Sequence, residues 1–559
     1  MAGLDVAIIG GGPAGSTLGT LLAQRGHTVA IFERERMPRE HIGESLIPGC
    51  LGLLEQTGVL PKIESAGFNV KDGATYVWGQ TRTPWTVRFE EAAAGGELHA
   101  LQVDRAKFDK ILLDHSRQSG VTVHENCNVL GPIGSAQGVE GLRVRLSDGS
   151  ERNVPAAITV DASGQASVLG SRLGLRNLNE QLRHVALYSY WTGGKLLSDV
   201  VEGLSAKDAG NILIVAVDEG WLWHIPLAGD VRSVGLVTDA DLVRGRSGAA
   251  RTDLLRHLVQ STPEIALVLD GSEWTGRPAK SISDWSYQCR PLSGPHFLLV
   301  GDAACFVDPI LSSGVYLAVH GAVRASLAID KVLNNPGLRD LSLWWYESEY
   351  FYEFDGFVDL ATHWYHGNKN RDSWFWKARA LVEPEANLSL RQAFVYLSGG
   401  YRGERALARE HVLRPTGGFD EAHLQVLYDN LGADLGGRAP TVFAGAPPGN
   451  RAELSEGQVM TRAPDFVDGT EVTTYMQLLD GTLEPCLKIS LPDALGRPRR
   501  LLATLESRPV FEMVDGRTTG NEIAARIAST GAFGSPDQAR DFVAGFVSEL
   551  HQLGVVTIA

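Results

Sequence analysis

The sequence predicts an α/β fold in which a sheet-rich core is followed by a mainly helical C-terminal extension. Strand-like and helix-like patterns alternate through roughly the first 345 residues, as they do in α/β proteins. An apolar strand pattern at Val6–Ile9 leads directly into a glycine-rich turn and a helix-like segment that continues to Leu22. With 559 residues, of which 44% are hydrophobic and 21% charged, the chain is long enough for two or three domains and has an ordinary globular composition.

Two changes of pattern divide the sequence further. Aromatic residues become dense from Trp344 to Trp376, mostly at helical spacing, and a Gly-, Ala- and Pro-rich stretch runs from Gly436 to Gly449. We interpret the aromatic segment as a helical layer packed on the core, some of whose rings also wall a substrate pocket. We therefore predict a core over residues 1–345, an aromatic-rich helical region with a linker over 346–450, and a small α+β module over 451–559.

The composition argues against several classes of partner. A formal net charge of −15 disfavours binding to nucleic acid or to an anionic membrane. The helix, helix, strand order of the C-terminal module is compatible with a winged-helix-like unit, but this segment is not basic, so we do not expect DNA binding. Without a signal-like N-terminus or a long apolar run, we expect a cytoplasmic protein without a membrane partner.

The five cysteines have no pattern that indicates a disulfide framework or a metal site. They are an odd number, they lie far apart, and no CxxC pair is present. The sequence also lacks HExxH or a comparable spacing of metal ligands. We therefore expect no metal, and a reducing compartment.

The first motif with chemical meaning is the turn after the N-terminal strand. Its residues are Gly10, Gly12, Pro13, Ala14 and Gly15. The glycines allow a tight turn and a close approach of backbone to a pyrophosphate at the helix N-terminus. A second strand pattern, Thr28–Phe32, ends at Glu33, which is placed to hydrogen-bond a ribose hydroxyl. The combination predicts a dinucleotide site but does not separate NAD from FAD.

Four later segments separate these two cofactors. They are Arg39 with Gly43-Glu44-Ser45, Gln102-Val103-Asp104-Arg105 with Phe108-Asp109, Asp161-Ala162-Ser163-Gly164, and Phe297 through Ala304. Their order resembles that of FAD monooxygenases of the p-hydroxybenzoate hydroxylase type. The resemblance covers about residues 5–330 and implies an FAD-binding, Rossmann-like core with a sheet-built substrate region. It also implies that Arg39, Glu44 and Arg105 contact the cofactor and that Asp302 holds the flavin ribitol.

Three further features resemble the flavin-dependent halogenases. Trp221–Pro226 (WLWHIP) matches their WxWxIP signature, and Phe306–Gly314 (FVDPILSSG) matches their FxxPxxSxG pattern. Lys71 follows Phe68 in the segment where these enzymes keep an essential lysine. The C-terminal extension and the run from Trp78 to Trp85 are most similar to the antibiotic-pathway enzymes, which include the chloramphenicol halogenase and relatives that act on phenols or carrier-bound acyl groups.

The resemblance implies a division of roles among the site residues. Reduced FAD and O2 would give a flavin hydroperoxide, and chloride held by the backbone amides of Ser313 and Gly314 would be oxidised to hypochlorous acid. Lys71 would receive the oxidant, by hydrogen bond or as a chloramine, and present it to the substrate. The remaining catalytic residues are Ser312, Trp221 and Trp223, and the two tryptophans keep the substrate away from the flavin.

One departure from the halogenase pattern bears on the substrate. Tryptophan halogenases carry a glutamate just before the serine of FxxPxxSxG, and this sequence has Leu311 there. The missing carboxylate favours a substrate that activates itself, such as a phenol, and leaves the general base unidentified. A second nucleotide fingerprint is not evident, so we expect a separate flavin reductase to deliver FADH2.

Two alternatives remain open at this point: an FAD-dependent aromatic hydroxylase, and a flavin-binding protein without turnover. The sequence also leaves open whether the substrate is free or tethered to an acyl carrier protein.

Overall fold

The computed structural model describes most of the first 401 residues and several segments beyond them. The described residues are 3–79, 82–92, 98–135, 138–366, 377–378, 380–382, 388–401, 460–462, 471–479, 482–492, 498–504, 518–529, 535–552 and 556–558. Two compact units are present, the first over residues 1–383 and 388–404, the second over 384–387 and 405–559.

The first unit contains both strands and helices, which alternate along the chain. Its strands are β1 Leu4–Ile9, β2 Val29–Phe32, β3 Asn69–Lys71, β4 Gly73–Val77, β5 Trp85–Arg88, β6 Ala100–Gln102, β7 Thr122–His124, β8 Asn128–Ser135, β9 Gly138–Arg145, β10 Glu151–Asp161, β11 Arg176–Thr192, β12 Ile212–Val217, β13 Gly220–Leu227, β14 Val231–Asp239, β15 Glu273–Trp274, β16 Lys280–Cys289, β17 Ser293–Gly294, β18 Phe297–Leu299 and β19 Cys305–Phe306. Its helices are α1 Pro13–Gln24, α2 Gly49–Glu55, α3 Leu60–Glu64, α4 Arg105–Gln118, α5 Val168–Arg172, α6 Leu197–Val200, α7 Ala240–Val243, α8 Gly248–Ser261, α9 Pro263–Val268, α10 Gly314–Asn334, α11 Arg339–His366 and α12 Leu390–Ser398.

One sheet of this unit forms the nucleotide-binding layer. Its strand order is β17, β18, β10, β1, β2, β7, and β1 pairs in parallel with β10 on one side and β2 on the other. The strands around β1 are apolar and buried, as expected for a parallel sheet covered on both faces. The carboxyl ends of β1, β2 and β10 therefore meet at one edge, which is where α/β sheets bind ligands.

The other large sheet is mostly antiparallel. Its order is β19, β16, β11, β14, β13, β12, β4, β5, with β15 paired to β11. Helices α8 and α9 contribute Leu255, Leu258 and Ile265 to a buried apolar cluster on one face of this sheet. The small pair β3 and β6 lies apart from both large sheets and carries Lys71 opposite Ala100.

The helix α10 lies at the centre of the first unit. All but a few of its residues are buried, and it packs against α1, α2 and α11. The aromatic segment predicted to be a helical layer is mostly α11, whose rings Trp345, Tyr346, Tyr350 and Phe354 are buried. Trp374, Phe375 and Trp376 lie outside the described residues.

The second unit is described by itself. It contains β20 Met460–Arg462, β21 Glu471–Leu479, β22 Thr482–Pro492, β23 Pro498–Thr504, α13 Gly520–Ala528, α14 Pro536–Gln552 and β24 Val556–Ile558. The strands β21, β22 and β23 form an antiparallel sheet, and β20 pairs with β24. A capping box begins α13, since Thr519 N donates to Glu522 Oε2 at 2.9 Å and Glu522 N to Thr519 Oγ1 at 3.3 Å.

The fold class predicted from the sequence is confirmed, while the domain boundaries remain predictions. Helix α11 runs through residue 345, the proposed end of the core, and the first compact unit continues to residue 404. This helix, which carries most of the aromatic segment, packs on α10. The proposed linker at 436–449 lies outside the described residues.

Candidate active site

A cavity of about 570 Å³ lies between the two large sheets and collects most of the predicted site residues. This volume is in the range of small-molecule and cofactor sites. The predicted residues that line it are Gly10, Gly12, Pro13, Ala14, Glu33, Arg39, Glu44, Arg105, Trp221, Trp223, Asp302, Ser312, Ser313 and Gly314. Gly15 and Lys71 are not among the described residues of its wall.

The turn after β1 has the geometry that a pyrophosphate requires. Gly10 has a φ of 95°, in the left-handed region that favours glycine, and a Cβ there would lie 2.5 Å from the carbonyl oxygen of Ala162. A Cβ on Gly15 would lie 2.0 Å from the carbonyl oxygen of Gly10. At Gly12 the nearest atom to a Cβ is Arg39 Nη2 at 3.4 Å, so this glycine leaves room for a ligand. Helix α1 begins directly after it, with its N-terminal N–H groups available to an anion.

Glu33 closes the turn from the end of β2. Its Oε2 accepts a hydrogen bond from Gly11 N at 2.7 Å, and its Oε1 accepts one from Glu35 N at 2.9 Å. A carboxylate has further lone pairs, so Glu33 can still accept from a ribose hydroxyl in the cavity. Arg39 lies beside the turn with Nη1 3.3 Å from Asp109 Oδ2, and its positive charge suits the phosphates.

The guanidinium of Arg105 is hydrogen-bonded within the protein and holds the loop that carries Glu44. Its Nε and Nη2 donate to the two carboxylate oxygens of Asp109 at 2.8 and 2.9 Å, and its Nη1 donates to the carbonyl oxygen of Ile42 at 2.7 Å. This bidentate pair is geometrically specific. The loop it fixes, residues 42–45, lines the cavity.

Glu44 is the buried carboxyl group of that loop. Its Oε1 accepts a hydrogen bond from the Tyr190 hydroxyl at 3.0 Å. Burial raises the pKa of Glu44 to about 7, against the hydrogen bonds from Ser233 and Tyr190, which act to lower it. Near neutral pH this group therefore exists in both protonation states and can donate or accept a hydrogen bond.

Two aspartates complete the cofactor end of the cavity. Asp161, at the end of β10, accepts from Ser163 N at 3.0 Å and Leu169 N at 2.6 Å, and so fixes the lining segment that follows it. Asp302 follows β18 in a short 3-10 turn and lines the cavity directly. Burial raises the pKa of Asp302 to about 6, with Arg105 acting in the opposite direction.

These residues fit an FAD. The glycine turn leaves backbone access for a pyrophosphate, Glu33 and Arg39 supply a ribose acceptor and a positive charge, and Asp302 supplies a carboxylate in the same cavity.

Another part of the wall is the N-terminus of α10. Ser312 has a left-handed φ of 56°, which turns the chain into the helix, and Ser313 is its N-cap. The Ser313 Oγ is buried and has no hydrogen-bond partner in the described part of the chain. The first N–H groups of a helix have no intrahelical acceptor, and the helix dipole favours negative charge there. This site can therefore hold a small anion.

Trp221 and Trp223 form one wall of the cavity from β13. Because side chains alternate along a strand, both rings lie on the same face of the sheet, and their centroids are 6.0 Å apart. The indole of Trp223 donates to Ser233 Oγ at 3.3 Å, and the indole of Trp221 donates to the Tyr365 hydroxyl at 2.8 Å.

Lys71 lies one layer behind the wall. Only 2% of the residue is exposed, and its Nζ donates to the carbonyl oxygen of Leu46 at 2.7 Å. Leu46 follows Ser45, which lines the cavity. Burial lowers the pKa of Lys71 to about 7, so its neutral amine is substantially populated near neutral pH.

Sequence reasoning missed three side chains of this region. Asp308 lines the cavity, its Oδ1 accepts from the Tyr365 hydroxyl at 2.8 Å, and its Oδ2 lies 2.9 Å from His184 Nδ1. Asp308 was inside the FxxPxxSxG match, and its position before Pro309 could have indicated an N-cap. His184 carried no signal, since it lies 124 residues away from Asp308. Tyr365 belongs to the aromatic segment Trp344–Trp376, but its contact with Asp308, 57 residues away, could not be predicted from that pattern.

The described residues contain neither a candidate membrane span nor a candidate metal site. Within those residues, no helix has the length and apolar character needed to cross a bilayer. In the same part of the chain, no group of three His, Cys, Asp or Glu side chains is placed to hold a metal ion.

The fold and the cavity define a flavin-dependent oxidoreductase. A model of the tryptophan halogenase family matches residues 5–98 and 91–402, and the chain belongs to this family of flavin-dependent halogenases. The protein is therefore an enzyme with FAD as its cofactor, which confirms the prediction made from the motifs.

Three similar proteins illustrate the range of the family. The tryptophan 2-halogenase of Chondromyces crocatus is 31% identical over 385 residues, 68% of this chain and 71% of that protein. The 1H-pyrrole-2-carbonyl peptidyl-carrier protein chlorinase of Pseudomonas fluorescens is 33% identical over 359 residues, 61% of this chain and 79% of that protein. The myxobacterial chondrochloren halogenase CndH, a variant of FAD-dependent halogenases, superposes with a TM-score of 0.61 at 34% identity, over 71% of this chain and 90% of that one.

Proposed function

We propose that this enzyme chlorinates an electron-rich aromatic substrate and that the substrate is a phenol. The observation that carries the proposal is the shared cavity. The α10 N-terminus, with its unpartnered Ser313 hydroxyl, opens into the same chamber as the Gly10–Gly15 turn and the Trp221 wall. An anion site, a cofactor site and an aromatic wall within one cavity of about 570 Å³ suit a reaction that joins a halide to a ring.

Reduced FAD, when bound, supplies the electrons for the chemistry, in which FADH2, O2, chloride and a proton become FAD, hypochlorous acid and water. The chain's own residues hold and direct the reactants. The N–H groups at Ser313 and Gly314 bind chloride, and the left-handed Ser312 gives this turn its shape. Trp221 and Trp223 separate the substrate from the cofactor.

Lys71 is proposed to direct the oxidant to the substrate. With a pKa of about 7 it offers a hydrogen-bond donor in one protonation state and a neutral, nucleophilic amine in the other. Its Nζ donates a hydrogen bond to Leu46 O, and Leu46 follows the cavity-lining Ser45. A small movement of the loop at Ser45 and Leu46 would therefore bring the amine into the cavity. A positioned lysine of this kind explains why a charged residue is kept in a 2% exposed position.

The choice of a phenol depends on residue 311. Leu311 is buried and apolar where tryptophan halogenases have a glutamate. A phenol is activated by its own hydroxyl group and needs less help from a carboxylate than an indole does. The names of the relatives do not choose a substrate, since one is a tryptophan halogenase and another acts on a carrier-bound pyrrole.

A second candidate substrate class is an aryl group tethered to a carrier protein. The 33% identity to a carrier-bound pyrrole chlorinase favours it. For either class we propose that a separate flavin reductase supplies FADH2, because the sequence has no evident second nucleotide fingerprint. The remaining alternative is an aromatic hydroxylase, which would add oxygen instead of chlorine.

The experiment that tests the proposal is mass spectrometry of products from a defined panel. Purified enzyme receives FADH2 from a reductase, O2, and either chloride or bromide. The panel contains free phenolic acids, L-tryptophan, and pyrrole-2-carboxylate and 4-hydroxybenzoate as free acids and as carrier thioesters. Chlorinated phenols support the proposal. Chlorination of tryptophan or of thioesters alone contradicts the free-phenol assignment, and halide-independent hydroxylation contradicts halogenation altogether.

A further inference from the structure

Trp221 and Trp223 are secured to the protein in different ways, although they are two residues apart on one strand. Trp223 is held by the neighbouring strand β14, since its indole bonds Ser233 and its ring lies across Gly235. A Cβ at Gly235 would lie 2.2 Å from that ring, so the glycine is what allows this packing. Trp223 is therefore fixed within its own sheet.

Trp221 is held from outside the sheet. Its indole N–H donates to the hydroxyl of Tyr365, which is near the end of α11 and 144 residues further along the chain. The Tyr365 hydroxyl in turn donates to Asp308 Oδ1 at 2.8 Å. The hydroxyl thus accepts from the indole and donates to the carboxylate, so both bonds constrain the ring of Trp221.

Asp308 is itself fixed from two further directions. Its Oδ1 also accepts from Ile310 N at 2.9 Å, and its Oδ2 lies 2.9 Å from His184 Nδ1. The rings of His184 and Tyr365 are in contact, with centroids 4.4 Å apart. The side chain of Asp308 has no exposed surface, and its carboxylate is linked to the indole of Trp221 through the hydroxyl of Tyr365.

We propose that Tyr365 is a positioning residue whose hydroxyl, held by Asp308, fixes the ring of Trp221 in the cavity wall. The inference rests on the proposed function, in which this ring separates the substrate from the cofactor. Since Asp308 belongs to the loop that leads to Ser312, the same contacts couple the placement of Trp221 to the halide-binding turn. Helix α11 therefore contributes to the active site by orienting a residue of the sheet.

The first test measures the environment of Trp221 without requiring turnover. The protein is labelled with 5-fluorotryptophan, and the ¹⁹F resonance of Trp221 is assigned by its loss in Trp221→Phe among the 12 tryptophans. In Tyr365→Phe this resonance is expected to move or broaden, with and without FAD. The control is Tyr346→Phe on the same helix, which loses a hydroxyl that donates to Leu299 O at 2.6 Å but does not contact Trp221.

The outcomes of this test are distinct. A change in Tyr365→Phe that is absent in Tyr346→Phe supports the proposal. An unchanged resonance, or an equal change in both variants, overturns it. Asp308→Asn retains an acceptor oxygen for Tyr365 and is expected to preserve the resonance, whereas Asp308→Leu removes the acceptor and should reproduce the effect of Tyr365→Phe. These variants keep the test valid if Tyr365→Phe folds poorly.

The second test separates this inference from the proposed function. The ratio of chlorinated phenol to FADH2 consumed is measured for the same variants, with hydrogen peroxide as the product of uncoupled turnover. A displaced wall is expected to reduce this ratio about tenfold in Tyr365→Phe, less than the roughly 100-fold that a 1 Å misplacement can cause. If both the ratio of chlorinated phenol to FADH2 and the Trp221 resonance are unchanged in Tyr365→Phe, the role of Tyr365 is overturned and the proposed function is not. A wild-type enzyme that chlorinates nothing overturns the proposed function, while the resonance still decides the placement.

Discussion

Two parts of the site are held together by different kinds of contact: the cofactor end around the Gly10–Gly15 turn, and the halogenation end, the name we give to Trp221, Trp223, the α10 N-terminus and Lys71, where we propose that chlorination occurs. At the cofactor end the glycine turn is shaped by backbone atoms and closed by a contact that is near in sequence, Gly11 N to Glu33 Oε2, 22 residues away. At the halogenation end they are made by side chains from distant segments, such as Trp221 and Tyr365, which are 144 residues apart. The first arrangement is fixed by the formation of the parallel sheet, whereas the second requires the packing of the whole unit.

This difference predicts how each end tolerates substitution. A turn made of backbone tolerates any side chain that does not enter the ligand space, and it fails abruptly when a Cβ collides with a carbonyl oxygen, as at Gly15. A wall made of hydrogen-bonded side chains instead loses function gradually as each hydrogen bond is removed. Lys71 is the exception, because its proposed role depends on a single buried amine.

The largest effect is expected at Lys71. Lys71→Ala should reduce chlorination by about 10²–10⁴-fold, the usual contribution of a positioned acid or base, and more if the oxidant is transferred covalently. FAD affinity should change little, because Lys71 does not line the cavity. Rates of product formation and FAD titrations check both statements.

Two matched variants sharpen this test. Lys71→Arg should not restore activity, since a guanidinium stays charged and offers no free amine. Lys62→Ala removes an exposed lysine of α3 and should be without effect. Chlorination by Lys71→Ala at nearly the wild-type rate would show that the lysine is only structural.

The next largest effect is expected for FAD binding at the glycine turn. Gly12→Val should weaken FAD binding by about 1.5–3 kcal/mol for each lost hydrogen bond to the phosphates, because a side chain there projects toward ligand space and meets no backbone atom within 3.4 Å. The protein should remain folded. Isothermal titration with FAD and thermal unfolding measure the two properties separately.

Gly15→Val is the contrasting variant. Its Cβ would lie 2.0 Å from Gly10 O, so this variant should lose the fold along with the cofactor. Gly138→Val on β9, where nothing lies within 4 Å, should change neither property. Normal FAD affinity in Gly12→Val would place the pyrophosphate elsewhere.

A smaller effect concerns the pH dependence of stability, to which Lys71 and Asp302 contribute slopes of opposite sign. The pKa of Lys71 is lowered to about 7, so between this value and its ordinary value of 10.5 the unfolded chain binds more protons, and stability should rise with pH. The pKa of Asp302 is raised to about 6, so between its ordinary value of 3.8 and 6 the folded protein binds more protons, and stability should fall as pH rises.

Each contribution is limited to a slope of about 1.4 kcal/mol per pH unit within its window. Urea unfolding of the FAD-free protein, compared with Lys71→Met and Asp302→Asn, isolates the two slopes. If Lys71→Met showed the same pH dependence of stability as the wild type between pH 7 and 10.5, burial would not be lowering the pKa of Lys71.

The contrast between the two ends also explains what the sequence could predict. The strand, glycine turn, helix and Glu33 follow one another along the chain, so their local pattern could predict a dinucleotide site, and the structure brings most of these residues together in one cavity. Ser312, Ser313 and Gly314 could be proposed together because they form one short motif. The Tyr365–Trp221 contact could not be found, since it depends on where a 28-residue helix packs against the sheet. Nor could the sequence show that Lys71 lies behind Ser45 and Leu46, because that depends on the pairing of β3 with β6.

The last prediction is that NADH or NADPH alone does not reduce the bound flavin rapidly. Purified enzyme with bound FAD should show no rapid bleaching of flavin absorbance when NADH or NADPH is added without a reductase. The physical reason is that hydride transfer needs a nicotinamide held close to the flavin ring, and the one glycine fingerprint evident in the sequence, at Gly10–Gly15, is proposed to hold the pyrophosphate of FAD. Addition of a flavin reductase and NADH should then start turnover, which shows that the flavin itself is competent. Stopped-flow absorbance distinguishes the cases, and rapid reduction by NADH alone would favour the hydroxylase alternative and would require a nicotinamide site in this chain.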